Sequence, residues 1–414
     1  MSEANLPQLP GTLREVLAQT AFVRYLLARF VTSLAVQIQT VAVGLQVYEL
    51  SHRPLDLGLI GLSQFLPFLV FVLPAGQAAD RWNRRTILLG CFVLELLCAA
   101  ALVGLTWRGL VSAVPVFAVM VPFGIARALM APAGQAILPN LVPRRLFSNA
   151  IGINSSMWQL SAIVGPAVGG VLYAHFGPAI VYEVVVALFA VAVLATLTMA
   201  APRQVPAAER PTWHAVVEGL RFVWRRHIVL GAISLDLFAV LFGGATALLP
   251  AFATDVLGIG PTGYGWLRAA PGIGAALMGA WLTVRPISRH VGRAMFAGVV
   301  VFGIATVVFA LSRSYLLSVF ALAVLGAADM VSMFVRHMLV QLETPDEMRG
   351  RVGAVNSMFI GASIELGEFE SGLTAAWWGL VPAVLVGGLA TLAVAWAWRR
   401  WFPELAGVDR FHQS

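Results

Sequence analysis

The stretch LGLIGLSQFLPFLVFVLPAGQAADRWNRR, residues 57–85, decides what kind of protein this is. Its first part, 57–79, carries no charge. A helix of about 20 mostly apolar residues crosses the hydrocarbon of a bilayer, so this segment reads as a membrane span. Asp80, Arg81, Arg84 and Arg85 follow at once. Charge packed against the end of an apolar run marks the point where the chain leaves the lipid.

Carried outward from there, the same ruler finds twelve spans, at 22–48, 57–79, 86–107, 111–132, 147–174, 178–200, 228–254, 262–284, 293–312, 315–341, 351–374 and 376–401. The breaks carry turn and charge signals, among them Ser51-His52-Arg53-Pro54, Pro143-Arg144-Arg145 and Pro345–Arg351. Composition agrees. Of 414 residues, 59% are apolar and 11% charged, against about 25% charged in soluble globular domains. Mean hydropathy is +0.84. A soluble enzyme, a disordered scaffold and a collagen-like chain are excluded. Spans must be helical, because an open sheet edge leaves backbone groups unsatisfied in lipid.

The first 20 residues hold Glu3, Pro7, Pro10, Arg14 and Glu15 and no long apolar core, so no cleavable signal peptide is expected. Net charge is +7 and all 27 basic residues are arginine. They collect in alternate loops: Arg81, Arg84 and Arg85; Arg144 and Arg145; Arg203 to Arg226; Arg285, Arg289 and Arg293; Arg349 and Arg351. The opposite loops hold Arg53, Arg108 and Arg313. This is the positive-inside pattern of a multi-pass membrane protein with both termini cytoplasmic, and no nucleic-acid face. Cys91 and Cys98 read as small packing residues, and no metal site is expected.

The longest loop, 201–227, opens with Pro202, Pro206 and Pro211 and then turns amphipathic, with Trp213, Val216, Val217, Leu220 and Trp224 at helical spacing. It divides the chain into an N-terminal six-helix bundle (1–200), this linker, and a C-terminal six-helix bundle (228–414). The halves resemble each other. An offset of 202 lays Gly124 on Gly326, Asn154 on Asn356 and Gly165 on Gly367, and an offset of 204 lays Gly61 on Gly265 and Pro67 on Pro271. Two parallel six-span repeats place a transport site between them, near mid-membrane. The expected fold is thus an all-α membrane protein of twelve transmembrane helices in two parallel six-helix repeats.

Two motifs carry a resemblance to a known family. Gly76-x-x-x-Asp80-Arg81-x-Asn83-Arg84-Arg85 resembles the loop motif of the major facilitator superfamily, with Asn83 where the family usually has glycine. Asparagine tolerates a left-handed backbone, so the turn is expected to survive. Gly76 would let two spans pack closely, and the resemblance implies that Asp80 faces the positive N-terminal end of span 11. Gly165-Pro166-x-x-Gly169-Gly170 resembles the superfamily's antiporter signature, where glycine permits close approach and Pro166 bends the helix. Longer stretches, Gln39–Tyr48, Leu235–Pro250 and Asn356–Gly372, are similar to the enterobactin-exporter-like branch. The resemblance implies an inner-membrane, proton-driven exporter of a siderophore or similar amphipathic molecule. A multidrug exporter or an importer on the same fold stays open. A membrane-embedded enzyme is the reading of another class; the seven histidines are dispersed, with no HExxH and no GxSxG.

Ionisable residues inside spans are functional candidates. Asp236, Asp329, Glu365 and Glu368 are the candidate proton carriers, answered by Arg127 and Arg336. Glu365 and Glu368 lie on one helical face. Asp236 and Arg336 lie at comparable depth. Glu95 and Glu183 are lone acids. Gln37, Gln39, Thr40 and Asn356 are the candidate cavity residues. The expected partners are the lipid bilayer, a small-molecule substrate and protons; no cofactor is expected, and the assembly is a monomer.

Overall fold

The computed structural model describes residues 13–200 and 213–411; a few side chains within these, Asp80's among them, lie outside the description. The proline-rich start of the linker also falls outside it. Ten described helices are long and apolar enough to cross a membrane. One of them, Phe147–Thr198, is 52 residues long and breaks at Gly177 (φ 73°, ψ 177°), which makes spans 5 and 6. The acid-bearing helix Asp346–Trp378 supplies span 11. Among the described residues the chain therefore crosses twelve times.

In order, the spans are Thr20–Ser51, Pro54–Arg81, Arg84–Trp107, Val114–Ile137, 147–176, 178–198, His227–Val256, Pro261–Val284, Val291–Leu311, Tyr315–Leu342, Asp346–Trp378 and Leu380–Trp401. Exposed Trp107, Trp281, Trp377, Trp378 and Trp401 cluster at span ends, the position of interfacial aromatic belts. Span 4 runs through Pro132 to Ile137, past the boundary read from sequence: the proline forfeits one backbone bond without ending the helix. Span 7 is not continuous. It breaks after Phe242 and resumes as short 3₁₀, α and π turns to Val256. Glycine is required at the break, since a methyl on Gly243 would strike the Phe302 ring and one on Gly244 the Gly367 carbonyl.

The two halves repeat in detail. Gly379 (φ 88°, ψ 164°) turns span 11 into span 12 as Gly177 turns span 5 into span 6, and the two are 202 apart. Both sit in the left-handed region that glycine alone enters cheaply. In lipid the driving force between helices is close packing rather than burial from water. Accordingly, Gly124 of span 4 lies on the Gln64 carbonyl of span 2, and Gly326 of span 10 lies on the Pro271 carbonyl of span 8.

Alternation of the spans brings the loops near residues 82, 140, 200, 287 and 345 to one end, the Arg-rich end. Asn83 there is extended (φ −63°, ψ 117°) rather than left-handed, which corrects the expectation from sequence. Its side chain accepts from the Arg85 backbone N–H at 3.0 Å and caps span 3. An N-cap favours asparagine and glycine for different reasons, so the turn survives by another route. Arg85 also donates to the Thr196 and Leu197 carbonyls, at 2.9 and 2.6 Å, at the C-terminal end of span 6 where a cation suits the helix dipole. Buried Arg84 donates to the Ala79 carbonyl at 2.9 Å.

The linker helix Trp213–Arg225 packs on the Arg-rich end of span 11. Glu218 meets Arg351 at 2.5 Å, Gly219 abuts the Arg351 carbonyl, and Val223 is buried among Val340, Val352 and Val355. The Trp213 and Val216 side chains lie outside the described residues.

Candidate functional site: the seam between the halves

Spans 1, 2 and 5 of the first half face spans 7, 8 and 11 of the second. At the Arg-poor end the seam is tight. Tyr48 of span 1 donates to Asp255 of span 7. A methyl on Gly170 would lie 2.5 Å from the Pro261 carbonyl, and one on Gly58 3.1 Å from the Gly372 Cα. Toward the Arg-rich end it loosens: among the described residues, Gly76, Gly152, Gly350 and Gly353 have nothing within 4 Å of where a Cβ would sit. The close packing expected of Gly76 is therefore absent in this conformation. A cleft of about 160 Å³ opens among Arg29, Ser33, Asn154, Ser155 and Trp158. A second, apolar one of about 170 Å³ opens between Phe65 and Phe68 of span 2 and Met358 and Phe359 of span 11.

The seam obeys the repeat. Gly61 of span 2 presses on Glu368 of span 11, and Gly265 of span 8 presses on Pro166 of span 5. Gly61 and Gly265 are the repeat pair, as are Pro166 and Glu368. One contact is with a backbone carbonyl, the other with a carboxyl side chain. The antiporter-like glycines divide their work: Gly165 and Gly169 take the Gln37 and Ile38–Val41 surface of span 1, while Gly170 faces span 8 across the seam.

At mid-depth the charges meet. Arg127 reaches from span 4 to Glu365 of span 11 at 3.2 Å, and the same nitrogen donates to Gln64 of span 2 at 3.1 Å. By helix rise Arg127 lies about 15 Å in from Ile137, inside the hydrocarbon. Beyond it a cavity of about 40 Å³, room for about three waters, is lined by Gln39, Thr40, Gln64, Tyr264, Arg268 and Glu368, with Pro250 and Phe123 as apolar walls. Arg268 also donates to the Thr246 carbonyl at 3.3 Å, where span 7 is irregular. The arrangement can bind a small polar or charged group, and can exchange arginine partners when the halves move.

Other candidates fall elsewhere. Gln37 packs against Gly165, so it serves the contact of spans 1 and 5. Thr40 spends its hydroxyl on the Val36 carbonyl at 2.8 Å. Buried Asn356 has an unpartnered amide oxygen among the described residues, as has Gln39. Arg336 donates to Asp236, both buried inside the second half rather than on the seam. Asp329 shares a narrow space with Asp236 and Ser332, beside spans 7 and 9. The Asp80 side chain lies outside the description. Gln64, Tyr264 and Arg268 were missed. The signal was in the repeat: an offset of 204 lays Gln64 on Arg268, between the glycine and proline pairs already matched.

Comparison with known proteins agrees with this architecture. Residues 14–409 match the family model described as transmembrane secretion effector. The chain is 28% identical over 367 residues to the multidrug efflux pump Tap of Mycolicibacterium fortuitum, covering 83% of this chain and 88% of that protein. It is 26% identical over 340 residues to the enterobactin exporter EntS of Escherichia coli O1:K1, covering 81% and 80%. It is 27% identical over 394 residues to the MFS-type transporter YfiS of Bacillus subtilis, covering 91% and 92%. Among solved structures, a mutant of the nucleoside transporter NupG superposes with a TM-score of 0.75 at 13% identity, over 92% of this chain and all of that one. A bacterial homologue of the lysosomal transporter Spinster superposes with a TM-score of 0.74 at 15% identity, over 98% of this chain. With a seam of paired halves and a family match along nearly its whole length, the chain belongs to the transmembrane secretion effector family of major facilitator transporters.

Proposed function

We propose that the protein is a proton-coupled exporter of the bacterial inner membrane that works by alternating access. The observation that carries this is the Arg127–Glu365 pair: it crosses the seam, at mid-depth, beside the cavity that holds Glu368 and Arg268. An ion pair joining two moving bodies must break when they move. A carboxyl that loses its arginine in lipid takes a proton or finds another partner. That ties rocking of the halves to proton binding, with Glu365 and Glu368 at the centre and Asp236, Asp329 and Arg336 supporting from within the second half.

The halves proposed to rock are 1–200 and 228–414, tied by the linker 201–227, in a monomer. The Arg-rich end is assigned to the cytoplasm, both termini with it, by the positive-inside rule. The tight Arg-poor end and the looser Arg-rich end then make this the conformation that loads cargo from inside. Gly165, Pro166, Gly169 and Gly170 form the hinge face. Asp80, with Arg81, Arg84 and Arg85, is the proposed inner latch against span 11.

Relatedness to EntS supports a siderophore or similar amphipathic cargo, and relatedness to Tap supports a broader, drug-like one. The apolar cleft of Phe65, Phe68, Met358 and Phe359 suits the greasy part of such cargo. The test uses inside-out vesicles with enterobactin and ethidium as probes under an imposed pH gradient. Gradient-driven accumulation of enterobactin supports the first cargo, and of ethidium alone the second. Accumulation of neither, with the protein present and folded, counts against proton-coupled export.

A further inference from the structure

Glu95 has no role in the account so far. It sits in span 3 with 0% of its surface exposed, and neither carboxyl oxygen has a hydrogen-bond partner among the described residues. An ionised carboxylate buried without a partner is among the costliest arrangements a protein can hold. The neutral acid is what the site accommodates.

Its surroundings are specific. Glu95 lies about 16 Å in from Arg84 and Arg127 about 15 Å in from Ile137, so the two are level on adjacent antiparallel spans. Spans 3 and 4 pack against each other, with Phe92 and Ala126 in one buried cluster and Ala99 and Phe123 in another. The charges acting on Glu95 are Arg127 of span 4 and Arg29 of span 1. Its own helix offers Cys91 and Cys98, and span 6 offers apolar Phe189 and Ala192. Arg127 thus stands between two acids: Glu365, which belongs to the other half, and Glu95, which travels with its own.

We propose that Glu95 is a second proton site and the alternate partner of Arg127, neutral while Arg127 holds Glu365 and ionised on Arg127 once span 11 moves away. The exchange balances. Glu95 gives up one proton as the guanidinium arrives, and Glu365 takes up one as the guanidinium leaves. Arg127 is never left unpaired in the hydrocarbon, and one proton crosses the seam for each switch. The inference rests on the proton-driven reading above.

The test needs no cargo. Infrared spectra of the transporter in lipid nanodiscs near neutral pH carry C=O bands of protonated carboxyls. Glu95→Gln, close in shape to the neutral acid, should remove one such band and so assign it. The same band should also be lost in Glu365→Gln, where Arg127 is free to turn to Glu95. It should return in the double variant Glu365→Gln/Arg127→Gln. Glu95→Asp, should Glu95→Gln fail to fold, keeps the band at a shifted position. A band assigned to Glu95 that persists unchanged in Glu365→Gln overturns the proposal, as does a Glu95→Gln spectrum with no band missing. Failure of gradient-driven accumulation in vesicles with the infrared switch intact would instead overturn the export reading.

Discussion

Arg127 and Glu365 form an ion pair, 3.2 Å long, between two halves of the molecule that the chain separates by 238 residues. The side chain of Arg127 remains 42% exposed and that of Glu365 14%. The pair therefore borders the open side of the seam rather than the packed interior of either half, so removing one partner leaves less buried charge than removing one from an enclosed pair. In the proposed mechanism its importance is to motion, because it joins the two bodies proposed to part.

That pair and the Asp236–Arg336 pair should respond to neutralisation in opposite ways. Asp236 and Arg336 are only 6% and 4% exposed and sit within one half. Removing one partner of a buried pair leaves a buried charge and costs about 3–5 kcal/mol. Asp236→Asn should lower the thermal midpoint by many degrees in detergent, while Glu365→Gln moves it by a few degrees at most. Equal shifts for the two variants would remove the distinction between scaffold and switch.

Closure at the Arg-poor end rests on Tyr48 and Asp255. In the double variant Tyr48→Cys/Asp255→Cys, a bis-methanethiosulfonate reagent long enough to replace the lost phenol should bridge the two thiols and halt turnover, and reduction should restore it. Cys91 and Cys98 are buried and free, so they should not compete. Undiminished transport by the fully cross-linked protein would contradict rocking about this seam.

Gly170 packs on backbone, which cannot yield as a side chain can: a methyl there would lie 2.5 Å from the Pro261 carbonyl. Gly170→Val should wedge the Arg-poor end apart. In a Tyr48→Cys/Asp255→Cys background it should lower the yield of cross-link several-fold, whereas Gly152→Val, at an open position, should leave the yield alone.

Asn83 caps span 3. Asn83→Ala should cost about 1 kcal/mol, and Asn83→Gly, which restores the motif's usual residue, only a few tenths, both read as thermal midpoints. A larger loss from glycine than from alanine would mean that the side-chain cap is not what holds this turn. The latch proposed for Asp80 is read in the same loop: Asp80→Asn should slow transport while leaving membrane insertion intact, and normal turnover would remove it.

The spans were legible because lipid imposes length and apolarity on every one of them, and the loops because arginine marks one side. The repeat was legible in Gly61 and Gly265 and, at an offset of 202, in Gly165 and Gly367 and in Gly177 and Gly379; that the last pair turns one span into the next is shown by the backbone angles. Depth along a helix follows from counting, which puts Asp236 and Arg336 level; the structure joins them. Rotation about a helix, and which neighbour a face meets, do not follow from counting. So Gln37 was expected in the cavity and instead packs on Gly165, while Arg268 was passed over. The partnership of Arg127 with Glu365 was hidden for the same reason: it depends on the docking of the halves, which no local pattern in either encodes. The break in span 7 escaped notice because Gly243 and Gly244 sit in an otherwise unbroken apolar run, and nothing in that run marks the close approach of Phe302 and Gly367.

The most direct test is to reconstitute wild-type protein and Glu365→Gln in proteoliposomes and measure gradient-driven accumulation of whichever probe the vesicle experiment identifies. Glutamine keeps the shape but neither holds Arg127 by charge nor exchanges a proton. The wild type should accumulate the probe in proportion to the imposed pH gradient, and Glu365→Gln, folded and inserted, should show no response to it. Equal gradient-driven accumulation by the two proteins would contradict a proton switch at this pair.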